Sequence, residues 1–242
     1  MSFYSYRGID DKTLDMRHTT TTGECYTLRH NENLKVEMVY LGKGSSNTNS
    51  QGWERDNSKY FNTLYQNHPE MFSKKNVARL NDGKNPIIDK KMISCNPEWA
   101  EYKGQPLIHH HIGGNGEAVA VPKNTHIGQG GIHNYEKSAG ITENCKNFSA
   151  RLENDPNAVG KTTSQLHEES IENVQISMEE FDTQATETAQ IEETQIQVSM
   201  EEVDAQATEA VQSQQMDNDE SVGNEADNDT SGIDNNGGMD VE

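Results

Sequence analysis

Five of the chain's nine histidines fall within PLIHHHIGGNGEAVAVPKNTHIGQGGIHN, from Pro106 to Asn134, about an eighth of the 242 residues. Three are consecutive, His109, His110 and His111, and two follow at His126 and His133. Neutral imidazole binds divalent ions, and its ordinary pKa of roughly 6.5 also suits it to take a proton from water near neutral pH. Phosphodiester hydrolysis wants both functions: a cation against the charge developing at phosphorus and the leaving oxygen, and a base to activate water. Side chains alternate along a strand, so His110 takes one face while His109 and His111 take the other. A ligand and a separate base can then stand side by side.

His126 and His133 are seven residues apart, which on an unbroken helix is about 10 Å. That is too far for one ion whose Zn–N bonds are roughly 2 Å. The intervening IGQGG should break the helix, so that His133 folds back toward His126 or contacts a phosphate. Singly, each is more often a structural hydrogen-bonder, and a histidine run can simply face solvent. In this order, together, they point to a metal site.

The elements that must position these rings are short. PLIHHH and EAVAVP, separated by IGGNG, predict a β-hairpin; KNTH and NYEKSAG beyond it are helix-prone, with Gly140 as a stop. Upstream, NSKYFNTLYQNH predicts a helix capped by Ser58 with Tyr60, Phe61, Leu64 and Tyr65 on one face. SKKNVARLNDG predicts a second from Ser73 to Gly83, and IIDKKMISC a third from an Asp89 cap. These helices read as a support. Residues 1–55 contain strand-like CYTL and LKVEMVYLG and then GKGSSNTNSQG, a small hairpin followed by a flexible linker.

The charge is split along the chain. Residues 1–150 carry 18 Lys and Arg against 16 Asp and Glu, whereas 151–242 carry 2 against 24, so the net charge of -20 belongs to the C-terminal part and excludes no nucleic-acid ligand for the rest. Lys74, Lys75, Arg79, Lys84, Lys90 and Lys91 make the first part locally basic, although surface lysine is ordinary. From residue 151 the composition is that of a long disordered acidic tail, too poor in apolar residues to offset the entropy of ordering it. Within it QISMEEFDTQATETAQ (175–190) returns as QVSMEEVDAQATEAVQ (197–212), a tandem duplication. Each copy is a disordered spacer or a transient amphipathic helix able to dock a protein partner. Cys25, Cys95 and Cys145 suggest neither a disulfide framework nor a zinc knuckle. No leader and no membrane span is visible. The expectation is a soluble protein, cytoplasmic or exported without a recognisable signal peptide.

The run LIHHH, a turn, VAVP and a histidine four residues past the proline, preceded by FNTLYQNHPEMFSKKNVARLNDGKNPIIDKKMISCNPEWAEYKGQ, resembles the HNH/endonuclease VII superfamily. Within it, the run resembles specifically the group with an L-H-H signature, found as toxin domains of bacterial polymorphic toxin systems. The resemblance covers roughly 57–140. It implies an α+β fold, a small ββα-metal (HNH) finger with supporting helices, within a nuclease domain at 56–150 between the N-terminal region 1–55 and the tail 151–242. It further implies hydrolysis of nucleic acid, DNA ahead of RNA, with a histidine base and one divalent ion, Mg, Mn or Zn. Carried onto this chain, His109 is the strand's ligand and His110 the base; the register with His110 as ligand and His111 as base is the near alternative. His126 matches the ligand opening the finger's helix, and His133 a further ligand or phosphate contact. Lys123 and Asn124 are candidate substrate contacts, and Asn115 is the candidate for the asparagine that braces the finger loop. Implied partners are the nucleic acid substrate and an immunity or inhibitor protein, with no membrane; the tail could lie over the active surface as a polyanion. The competing function class is an interaction protein, an inactive or structural-zinc finger docking partners through its repeated tail. Structural zinc sites usually close four ligands, often with cysteine, and no cysteine lies in this hairpin.

Overall fold

The computed structural model describes residues 2–126 and 130–219, with side chains placed through residue 210. The chain divides into two compact units, Met1–Val174 and Gln175–Glu242.

The first unit opens with a 3-10 turn at Tyr4–Tyr6 and continues through α1 (Asp11–Asp15), the antiparallel pair β1 (His18–Thr19) and β2 (Cys25–Tyr26), and β3 (Val36–Glu37). Three helices follow: α2 (Asn57–Asn67), α3 (Lys74–Asn81) and α4 (Lys90–Cys95). The finger itself is β4 (Leu107–His111), β5 (Glu117–Pro122) and α5 (Lys123–His126), followed by α6 (Ile132–Ser138) and α7 (Ile141–Leu152). The last helix, α8, runs Thr163–Asp219. The architecture is α+β, a ββα finger with supporting helices.

The three supporting helices form where side-chain caps start them. Ser73 Oγ accepts from Asn76 N, and Asp89 Oδ1 accepts from Lys91 N and Met92 N, as predicted. The cap of α2 is Asp56, not Ser58: its extended backbone lets Oδ1 accept from Lys59 N at 2.9 Å, which places Ser58 within the first turn. Tyr60, Phe61 and Leu64 are buried as the periodicity requires.

In the three-stranded antiparallel sheet β5 lies between β3 and β4. A strand bonded on both edges and covered on both faces wants small or branched side chains, and all six residues of EAVAVP are buried. Leu107 pairs with Pro122 and His111 with Ala118, so each histidine of the triplet has a fixed partner across the hairpin. The connecting turn needs glycine at Gly113, whose φ is 60°; a Cβ there would come within 2.8 Å of Cys145 Sγ.

Residues 1–55 fold into this same unit. Leu34, Val36, Met38 and Tyr40 are buried in alternation with Lys35, Glu37 and Val39, and β3 pairs with β5. Buried Glu117 accepts from Tyr4 N at 2.9 Å and Ser5 N at 2.7 Å and is paired with Lys35 Nζ at 2.5 Å, so the first residues of the chain satisfy a carboxylate of the central strand. The expected linker GKGSSNTNSQG is instead an ordered turn, bridged by Tyr40 and Trp53. Asn49 donates to Gly114 O and Gln51 to Gly113 O, which props the finger loop. At the other end, Leu152, Ala158 and Leu166 join Tyr40, Trp53 and Phe148 in a second cluster, so the acidic tail read from residue 151 begins later, at residue 175.

The second unit is helical through Asp219, and every side chain from Ile171 to Ala210 is exposed. Among the described residues it builds no core of its own, in keeping with its composition. The last part of the tail, residues 220–242, lies outside the described residues. No helix among the described residues is long and apolar enough to cross a membrane.

Candidate metal centre in the finger

Strand alternation separates the triplet. His110 turns to the face where His126 and His133 lie, with ring centroids 5.2 and 4.8 Å away; His109 and His111 share the other face, 5.3 Å apart. His126 closes α5 as described and His133 lies in the first turn of α6, and His126 Nε2 and His133 Nε2 come within 3.0 Å. His110, His126 and His133 each offer a nitrogen within 4.8 Å of the others. Two nitrogens bound tetrahedrally to one ion at about 2.1 Å stand about 3.4 Å apart, so the donor set fits a divalent cation. His110 is fully buried, whereas the His133 side chain is 53% exposed. The three cysteines are free thiols outside this set.

A residue not anticipated from sequence, Glu136, sits at the centre. His110 Nε2 donates to its Oε1 at 2.7 Å, Gly113 N donates to the same oxygen at 2.9 Å, and His133 Nδ1 contacts Oε2 at 3.2 Å. Burial alone would raise this carboxyl, but attraction to His110 and the hydrogen bonds from His110, His133 and Gly113 hold it down at about 2. The only local signal was its place three residues past His133 on a helix, where side chains share a face. Burial, reinforced by His110 and His133, lowers His126 to about 3, which keeps it neutral and able to ligate.

On the other face His111 Nδ1 donates to the Asn115 carbonyl at 2.7 Å. A carbonyl only accepts, so the proton resides on Nδ1 and Nε2 carries the lone pair; Nε2 is buried with no partner among the described residues. Burial holds His111 at about 3. His109, expected as a ligand, instead bonds Asn57 Oδ1 through Nδ1 at 3.0 Å and stacks on Tyr60; burial and the Arg55 guanidinium lower it to about 4. Asn115 is fully buried in the loop, with Oδ1 accepting from Gly116 N and Nδ2 donating to Ser5 Oγ. Lys123 is exposed at the start of α5. Asn124 is also exposed and donates to Glu24 at 3.0 Å.

A strand, a strand and a helix arranged around converging imidazoles define a ββα-metal finger. Residues 32–134 match the family model of HNH/Endo VII superfamily nuclease toxins with a HHH motif. The family is characterised by a run of three histidines rather than by the Leu-His-His signature, and the run here is 109–111. No curated protein and no solved structure matches the chain.

Proposed function

We propose that the chain is a metal-dependent endonuclease of toxin type, cutting DNA in preference to RNA. The observation that carries this is the convergence of His110, His126 and His133 in a finger of nuclease family. These three would hold one divalent ion, Mg, Mn or Zn. Bound there, the ion would offset charge developing on the phosphate and leaving oxygens. His111 is the general base: with Nδ1 spent on Asn115 O and the ring neutral, Nε2 is free to accept a proton from water. The roles thus fall one residue later than the His109 and His110 assignment, and His109 becomes a packed ring beside the base. Glu136 is a positioning residue that orients His133 so that Nε2 faces His126. Arg55 and Lys123 supply positive charge for the phosphate backbone, with Asn124 as a weaker contact because Glu24 already holds it.

Against the structural-zinc reading stands the incomplete, cysteine-free donor set with His133 open to solvent. An inhibitor protein that covers this surface would suit a toxin-type nuclease.

Purified full-length chain tests the proposal on supercoiled plasmid and on RNA, in EDTA and with added Mg²⁺, Mn²⁺ or Zn²⁺. Cleavage should appear with an ion and disappear in His111→Ala, which retains the ion by titration calorimetry. Wild-type protein that leaves both substrates intact with all three ions sinks the reading.

A further inference from the structure

Residues 1–31 lie outside the family match, yet they close over the sheet face that carries His110. His18 stacks on Tyr135 of α6 at 3.8 Å, Tyr26 Oη donates to Gly130 O at 2.8 Å, and the His30 ring stands 6.0 Å from that of His110. Between this added segment and the finger lies a cavity of about 290 Å³. Its walls include Tyr26, His30, Trp99, Tyr102, Val121 and Thr125. Val121 shares the His110 face of the sheet, because it pairs with Ile108, two residues before His110.

The geometry points to a nucleobase pocket: we propose that this cavity receives the base of a nucleotide adjoining the phosphate held at the metal centre. This rests on the nuclease reading above. Tyr26, Trp99, Tyr102 and Val121 give the cavity aromatic and aliphatic walls that suit a flat heterocycle, with Arg17, Arg29, Glu98 and Glu101 also in its lining, and stacking on aromatic rings is how proteins hold unpaired bases with little sequence preference. One polar group of the lining residues is unspent: His30 Nε2 is buried without a partner among the described residues. Cationic Arg17 lies at the lining, 70% exposed and held among the described residues only by Glu101 at 4.0 Å, where a phosphate could take it. Arg29 is committed to Asp11 and Asp15 and is unavailable for that role. A base can enter such a pocket only out of the stack, so the preferred substrate is single-stranded or locally unpaired.

The test separates the pocket from the chemistry. Metal-free full-length protein in EDTA is titrated with deoxyadenosine 5′-monophosphate or with ribose 5-phosphate, following Trp99 and Val121 resonances. The nucleotide should bind and the sugar phosphate should not. Thr27→Trp, a half-buried position at the lining, should fill the mouth and weaken nucleotide binding roughly tenfold or more. His30→Phe should weaken it less, and metal affinity of Thr27→Trp should match wild type. Equal binding of the sugar phosphate, unchanged binding in Thr27→Trp, or no nucleotide binding at all overturns the pocket. Plasmid cleavage without nucleotide binding would fail the pocket alone; nucleotide binding without cleavage under any ion would fail the nuclease reading alone.

Discussion

The two units use titratable side chains in opposite ways. In Met1–Val174 the ionisable groups near the finger are buried and answered: Glu117 by Lys35 and two backbone amides, Glu136 by two imidazoles and an amide. In the second unit, residues 175–210 carry ten Asp and Glu and no Lys, Arg or His, all exposed. One unit spends folding energy to organise charge, and the other leaves its charge to water. A helix can exist in either setting, but only the first can hold a reacting group at a fixed tautomer.

Acid should drive the two apart, and this is the largest effect expected. His30, His111 and His126 are held at about 3 by burial and His109 at about 4, against an ordinary 6.5. Each binds a proton more readily when unfolded, so stability falls as pH drops below about 6.5, by up to about 1.4 kcal/mol per ring and pH unit. Glu136, held at about 2, adds stability that is present above its ordinary 4.5 and is lost only as pH falls toward 2. In the second unit acid removes like-charge repulsion and should strengthen the helix. Both tryptophans, Trp53 and Trp99, lie in the first unit. Lowering metal-free protein from pH 7 to 4 should therefore unfold the tryptophan signal while amide protection factors, corrected for the intrinsic exchange rate at each pH, rise across 175–210. Parallel loss of both would erase the contrast.

Glu117→Ala tests whether the first residues of the chain belong energetically to the finger. It would strand the amides of Tyr4 and Ser5 and leave the Lys35 ammonium, 13% exposed, with Glu37 at 3.5 Å as its remaining carboxylate. Removing one partner of a buried pair costs about 3–5 kcal/mol, read as a lower denaturant midpoint. A loss under about 1 kcal/mol would mean that the N-terminal turn merely rests on β5. Glu136→Gln is the milder version of the same argument at the metal centre. It keeps the shape but offers an N–H to one of two rings that need an acceptor, so ion affinity should fall about 10–100-fold with little change in the unfolding midpoint.

Legibility divides along the same lines as burial. Period-two alternation alone places His110 opposite His109 and His111, and His133 lies beside His126 as expected, although residues 127–129 of IGQGG lie outside the described residues. Alternation cannot say which face a helix will cover, so which of His109 and His110 faces His126 and His133 needed α6 in place. The groups missed are joined over long sequence separations: Glu136 to His110 across 26 residues, Gln51 to the finger loop across 62, Ser5 to Glu117 across 112. Such pairs leave no periodic trace. GKGSSNTNSQG looked like a linker for the converse reason, since polar residues that prop a loop have the composition of residues that merely connect.

The smallest effect belongs to the duplicated helix. Its repeat of 22 residues is about six helical turns, so Met178 and Phe181 of the first copy and Met200 and Val203 of the second fall on nearly one face. Those side chains are 63, 71, 64 and 64% exposed. Burying a large apolar side chain is worth roughly 1.5–3 kcal/mol, and none of that is realised while the face meets water. Phe181→Ser and Met200→Ser should therefore shift the unfolding midpoint of the first unit by no more than about 0.5 kcal/mol, and leave its ion affinity unchanged. A larger loss would show that the stripe is covered in solution, and the contrast between a unit that buries its apolar residues and one that does not would fail at that face.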